Sequence, residues 1–397
     1  MEKINKSEIE IRINKIKEIM AKDNIDAFLI YGDEYRRENL RYVSNYWPIF
    51  ERGIVVIGQD RDPILLASPE CFHIAKEMSV WQDIRLIKEV GMSYVPEEVE
   101  FTNINFTSFR DVIKEVTKNK HSIRVKVAGI DAMNIILFKI IESTLTNAEI
   151  INGDKDIYNL RYIKSPFEIK LLKNAWEICD KAYKKVLETD IIGLTEKQAA
   201  AIGEKAAFDS GAESIVFSIF CSGHRTNTVV GRPSDKIINK NDMIMYALCV
   251  QYEGYIASNE WPFVAGGKGF KEQIDFIYHL VNAENLGVQS LKNGIKLGTI
   301  VKSIRKYFSD NNLEQFDLYP PIHGNGLSEA ESPYPDENSE APLLKGIGIN
   351  FDVSLFGSPV GSNRIEEGFV IGEDGPVVLS DLISKLREVF LSEYRVE

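Results

Sequence analysis

The 397 residues carry 47 Lys+Arg against 59 Asp+Glu, a formal net charge of −12, and 44% of them are hydrophobic. A chain of this length and composition supports two or three domains with full apolar cores, which excludes disorder, collagen and small disulfide scaffolds. The acidic balance, with no Lys/Arg stripe, argues against nucleic acid and anionic membranes as partners, since cationic contacts to phosphate dominate both kinds of binding.

Ile9, Ile13, Ile16, Ile19 and Met20 recur at helical spacing, and the apolar run 27–31 closes on Gly32-Asp33, so a helix feeding a strand is expected. Runs at 54–57, 64–67, 84–87 and 125–130 predict further strands, with helices near 71–78, 108–117 and 134–143 between them. Residues 1–155 therefore predict a small α/β domain, bounded by the polar stretch 152–156. Ser165, Pro166 and Glu168 are an N-cap, a first-turn proline and a capping-box acid at the head of an amphipathic helix over 165–187, and Thr195 to Gln198 opens another. Beyond it, β-rich runs at 215–221, 243–251 and 263–265 between Gly-rich turns predict an antiparallel α+β domain over residues 156–397.

Cys71, Cys179, Cys221 and Cys249 are scattered, have apolar neighbours and form no CxxC, which reads as buried thiols in a reducing compartment. The charged first ten residues have no apolar h-region, and nowhere do about 18 apolar residues run together, so a cytoplasmic protein is expected.

Of five histidines, His73, His121 and His279 read as structural or solvated. His224 follows a strand in a turn, and His323 opens His323-Gly324-Asn325-Gly326-Leu327, where small residues let the backbone pass close to a ligand. Acids recur downstream at Glu331, Asp352 and Glu366. Asp352 and Glu366 lie in apolar, β-prone sequence, where an ionised carboxylate needs a positive partner: a metal, a cationic substrate or an arginine such as Arg364 or Arg232.

At these residues the chain resembles the pita-bread family of creatinase, prolidase, aminopeptidase P and methionine aminopeptidase. The resemblance is carried by Arg161 to Glu168, the Asn241-Asp242 turn, Tyr252-Glu253-Gly254-Tyr255, the His323 element and Arg364-Ile365-Glu366. It implies an α/β N-terminal domain followed by an α+β pita-bread C-terminal domain. In the peptidase branch it implies two divalent metals held by two aspartates, a histidine and two glutamates. Aligned on Gly254-Tyr255, those positions hold Ala247, Ser258, His323, Asp352 and Glu366, and two substrate-side histidine positions hold Val230 and Ala330, which marks an atypical member.

A single divalent metal on His323, Asp352 and Glu366 is the minority expectation. The metal-free creatinase branch matches further, with Glu260 and Asp352 as its substrate carboxylates. Phe50 and Arg52 match the pair with which creatinase grips the substrate carboxylate across the interface of a homodimer. The expectation is thus a cofactor-free hydrolase of a C–N bond in a small zwitterionic amino-acid or guanidino derivative. Glu260, Asp352 and Glu366 form its acidic floor, His323 shuttles protons, and Phe50, Arg52, Arg232 and Glu331 meet the substrate. The alternatives are a single-metal Xaa-Pro peptidase or dipeptidase-like hydrolase and a non-catalytic binding module.

Overall fold

The computed structural model describes residues 1–88, 102–267 and 269–394, and the chain divides into two compact units, Ile4–Arg161 and Met1–Lys3 with Tyr162–Glu397. In the first unit Asn5 caps α1 (Lys6–Lys22) by accepting from the Glu8 amide, and Ile9, Ile13, Ile16 and Met20 form its buried stripe. A six-stranded sheet follows, built from β1 (Ala27–Asp33), β2 (Arg52–Ile57), β3 (Ile64–Ala67), β4 (Ile84–Leu86), β5 (Ile123–Ala128) and β6 (Ala148–Asn152). Its order is β4-β3-β2-β1-β5-β6, with β1 antiparallel to β2 and parallel to β5. Leu29, Val56, Leu66 and Val125 of the sheet share a core with Val112 and Ile113 of α4 (Phe109–Val116) and Leu137 and Ile141 of α5 (Ile135–Thr144). Two short helices, α2 (Glu38–Ser44) and α3 (Phe72–Met78), complete the described elements of the unit up to β6.

The polar stretch 152–156, at which the sequence places the end of the first domain, holds a strand end and a helix start, and the first compact unit runs on to Arg161. Asn152 ends β6 and accepts from the Asp154 amide at 2.8 Å, and α6 (Asp154–Tyr162) begins there. The Asp154 carboxylate in turn accepts from the backbone amides of Gly129 and Ile130. These polar side chains are spent on orphan amides at a strand end and a helix start, which composition alone cannot distinguish from a solvated connector.

In the second unit the predicted capping boxes form at the heads of α7 (Pro166–Leu187) and α8 (Glu196–Asp209). Its eight-stranded sheet comprises β7 (Ser214–Ser222), β8 (Met243–Tyr252), β9 (Tyr255–Glu260), β10 (Phe263–Val264), β11 (Ile322–Gly324), β12 (Gly348–Ser358), β13 (Gly361–Ile371) and β14 (Pro376–Val378). The path runs β10-β8-β9-β13-β12-β11, with β7 on β8 and β14 on β13, and the strand pairs are antiparallel. The helices α9 (Lys271–Gln289), α10 (Leu297–Asp310) and α11 (Asp381–Glu393) complete the unit. Trp176 of α7 lies flat on Gly368 of β13, where a Cβ would stand 2.2 Å from the indole Cζ2.

One register places the chemistry. Across the sheet Ile219 faces Ala247, Ala247 faces Glu260, Glu260 faces Glu366 and Glu366 faces Asp352. Directly opposed residues of antiparallel neighbours share a face, so three carboxylates from β9, β13 and β12 stand in one row. Ser258, two residues before Glu260, is on the same face by the period of a strand.

Candidate active site

Asp352 and Glu366 of this row stand at the base of a cavity of about 980 Å³ within the second unit. Asp352, Glu366 and Arg364 line it from the sheet, with His323 and Tyr319 beside them, Phe217, Ile219 and Tyr334 as apolar walls, and Arg232 with Glu329 closing the circle. Of the predicted site residues, the fold thus brings His323, Asp352, Glu366 and Arg232 to one cavity.

Glu260 sits one layer lower. It is fully buried and does not line the cavity, because Arg364 lies over it with Nε 2.6 Å from Glu260 Oε2. Glu331 does not reach the cavity either: its Oε1 accepts from Lys164 Nζ at 2.6 Å, and this ion pair turns the side chain away. Arg232 does not pair with Asp235, which is held by Lys197; its own side chain has no hydrogen-bond or ionic partner among the described residues. His224 is exposed in the turn Gly223–Thr228 and does not line the cavity. Phe50, 40% exposed, and Arg52, at the head of β2, belong to the first unit.

Arg364 is the hub of the charges. Besides Glu260, its Nε lies 3.7 Å from Glu366 Oε1, Nη1 donates to the Tyr319 hydroxyl at 2.8 Å, and Nη2 points at the Val229 carbonyl at 3.4 Å. Tyr319 passes the contact on by donating to Asp352 Oδ1 at 3.1 Å. Val229 holds φ of +64°, an unusual conformation for a β-branched residue, next to this contact. Burial pushes Glu260 up to about 7 against the pull of Arg364, and burial, then Asp352, pushes Glu366 well above the usual carboxylate range. Burial works against the charge of Arg364, but Glu260 and Asp352 outweigh it and hold the guanidinium charged.

Glu329 escapes sequence reasoning. Its Oε1 stands 3.4 Å from His323 Nε2, and burial raises its carboxyl despite the neighbouring histidine. His323 Nδ1 lies 3.0 Å from the Gly324 carbonyl, which can only accept, so Nδ1 carries a hydrogen and Nε2 is the nitrogen that faces Glu329. Nothing periodic links the two residues, because the turn between them, not a strand, brings them together. Arg364, which the sequence offers as a partner for these acids, does pair with Glu366, two residues away on the same strand and therefore on its face. Tyr319 carries no such signal.

The donor set does not fit a two-metal centre. Ala247 offers a methyl group packed with Ile219, Cys221, Met245 and Phe356, and Ser258 offers one buried hydroxyl without a hydrogen-bond partner. Among the described residues no three His, Cys, Asp or Glu side chains converge as a ligand set. His323, Asp352 and Glu366 are instead oriented by Glu329, Tyr319 and Arg364 respectively.

A two-domain architecture of α/β unit and antiparallel α+β unit with a carboxylate-lined cavity is that of the creatinase and prolidase type. Residues 170–373 match the family model for metallopeptidase family M24, and residues 12–163 match that for the creatinase/prolidase N-terminal domain. The chain belongs to this pita-bread family. It is 27% identical to a Xaa-Pro dipeptidase of Pyrococcus horikoshii over 92% of this chain and 95% of that one. Among solved structures the prolidase from Pyrococcus horikoshii OT3 superposes with a TM-score of 0.78 at 24% identity, over 93% of this chain and 97% of that one. An X-Pro aminopeptidase from Thermotoga maritima gives 0.80 at 23%, over 93% and 97%. These relatives are peptidases, which supports the peptidase alternative over the creatinase-like expectation. No described helix is long and apolar enough to cross a membrane.

Proposed function

We propose that the chain hydrolyses the peptide-type C–N bond of a small zwitterionic substrate, with Xaa-Pro dipeptides the first class to try and guanidino acids the second. The observation that carries this reading is the His323–Glu329 pair at 3.4 Å, opening on the same cavity as Asp352, Glu366 and the partnerless Arg232. His323, whose Nε2 faces Glu329, is the group placed to take a proton from water and return it to the leaving nitrogen. Asp352 and Glu366 face the substrate's ammonium end, and Arg232 binds its carboxylate through paired N–H donors. Similarity to Xaa-Pro dipeptidases supports a dipeptide over a guanidino acid.

The test is a substrate panel of Xaa-Pro dipeptides, N-acyl amino acids and guanidino acids, incubated with the full chain and read by release of the free amino acid or amine. Turnover of one class, lost in a folded His323→Ala variant, is expected. No turnover of any class, or full turnover by that variant, overturns the reading.

A further inference from the structure

We propose that Arg364 is the built-in cation of this carboxylate site, filling the electrostatic role of a divalent ion, so that the cavity takes no metal. Three buried acids, Glu260, Asp352 and Glu366, meet in one region with the partly exposed Glu329 beside them. Such a cluster persists only if positive charge or protons neutralise it. Arg364 provides the charge from the middle of the cluster, since Nε reaches Glu260 at 2.6 Å and Glu366 at 3.7 Å and Nη1 reaches Asp352 through Tyr319.

The two ladder positions from which further anionic ligands would project carry Ala247 and Ser258. With no charge on either side chain, the same face has two fewer anions for the one guanidinium to offset. A divalent ion placed among the remaining oxygens would stand against the guanidinium that already holds them, with no extra anion to offset the repulsion. The inference rests on the proposed function only for which cavity is the active site.

The experiment is a calorimetric titration of the EDTA-stripped full chain with Mn²⁺, Zn²⁺ and Co²⁺, with metal content measured after dialysis. Expected is no stoichiometric uptake and no rise in melting temperature by the wild type. Uptake of about one ion per chain is expected in Arg364→Met and about two in Ala247→Asp/Ser258→Asp. Stoichiometric binding by the wild type overturns the proposal, and this arm needs no variant. An Arg364→Met chain that keeps its far-UV spectrum and still takes no metal also overturns it, because the exclusion would then not come from Arg364. A silent substrate panel would sink the hydrolase reading and leave this result standing, whereas metal uptake would do the reverse.

Discussion

Lys164 and Glu331 are joined inside the second unit, Nζ to Oε1 at 2.6 Å, with their side chains only 1% and 10% exposed. A Cβ on Gly326 would stand 2.2 Å from the same Glu331 oxygen, so the loop that follows β11 and His323 packs closely on this ion pair. Removing one partner strands the other charge in a buried setting, at a cost of about 3–5 kcal/mol. Lys164→Met is therefore expected to lower the melting temperature by roughly 10 °C. Pairing it with Glu331→Gln removes the stranded charge and should recover most of the loss. Thermal unfolding by circular dichroism checks both, and an unchanged Lys164→Met melt would show that the pair is not a structural clamp.

In the second unit Glu284 of α9 is fully buried, 3.8 Å from Arg387, and neither carboxyl oxygen has a hydrogen-bond partner among the described residues. Arg387 is already engaged by Glu367 at 2.9 Å and Asn285 at 3.0 Å. Burial, and then the Glu367 charge, push Glu284 well above the ordinary carboxylate range. A carboxyl raised in this way binds more protons in the folded than in the unfolded chain. It therefore costs nothing below its unfolded pKa and increasingly more as pH rises above it. Glu284→Gln is expected to match the wild type near pH 4 and to exceed it by about 1–3 kcal/mol at pH 8. Urea unfolding at the two pH values reads the difference, and a variant less stable at pH 8 would contradict the assignment.

Most of the fold was legible because local signals agreed with it. The Ser165 and Thr195 capping boxes and the apolar runs at 54–57 and 64–67 each become the element they predict. The polar character of 152–156 did not report the strand end and helix start found there, since caps and connectors share a composition. The site was legible as residue types but not as geometry. Asp352 and Glu366 stand out in apolar sequence, yet only strand register puts them beside Glu260, and only the Arg364 contact shows that Glu260 is covered rather than open. Register is a long-range property set by which strands pair, so no local pattern reports it.

The ladder is held from behind by a close approach that tolerates no side chain. Gly368 follows Glu366 and Glu367 on β13, and the fully buried Trp176 indole occupies the space where its Cβ would be, at 2.2 Å. Gly368→Ala must push the indole or the strand, and overpacking of this kind costs about 1–3 kcal/mol. Because β13 also carries Arg364 and Glu366, a lower melting temperature should come with reduced turnover. If the Gly368→Ala chain melts and turns over as the wild type does, the indole is not fixing the strand.

Arg232 gives the most direct test of how the cavity orients a substrate. Arg232 is an exposed residue at the cavity wall whose side chain has no partner among the described residues, unlike Arg364, which is engaged on four sides. A charged hydrogen bond to a substrate carboxylate is worth about 1.5–3 kcal/mol, which corresponds to roughly 10–100-fold in affinity. Arg232→Ala is accordingly expected to raise KM by about that factor with kcat within a few-fold, the pattern of lost ground-state binding. Amidating the substrate's carboxylate should weaken binding to the wild type by a similar factor and leave the variant almost unaffected. Steady-state kinetics on the four combinations decides it: if the two losses add fully instead of overlapping, Arg232 does not contact the carboxylate.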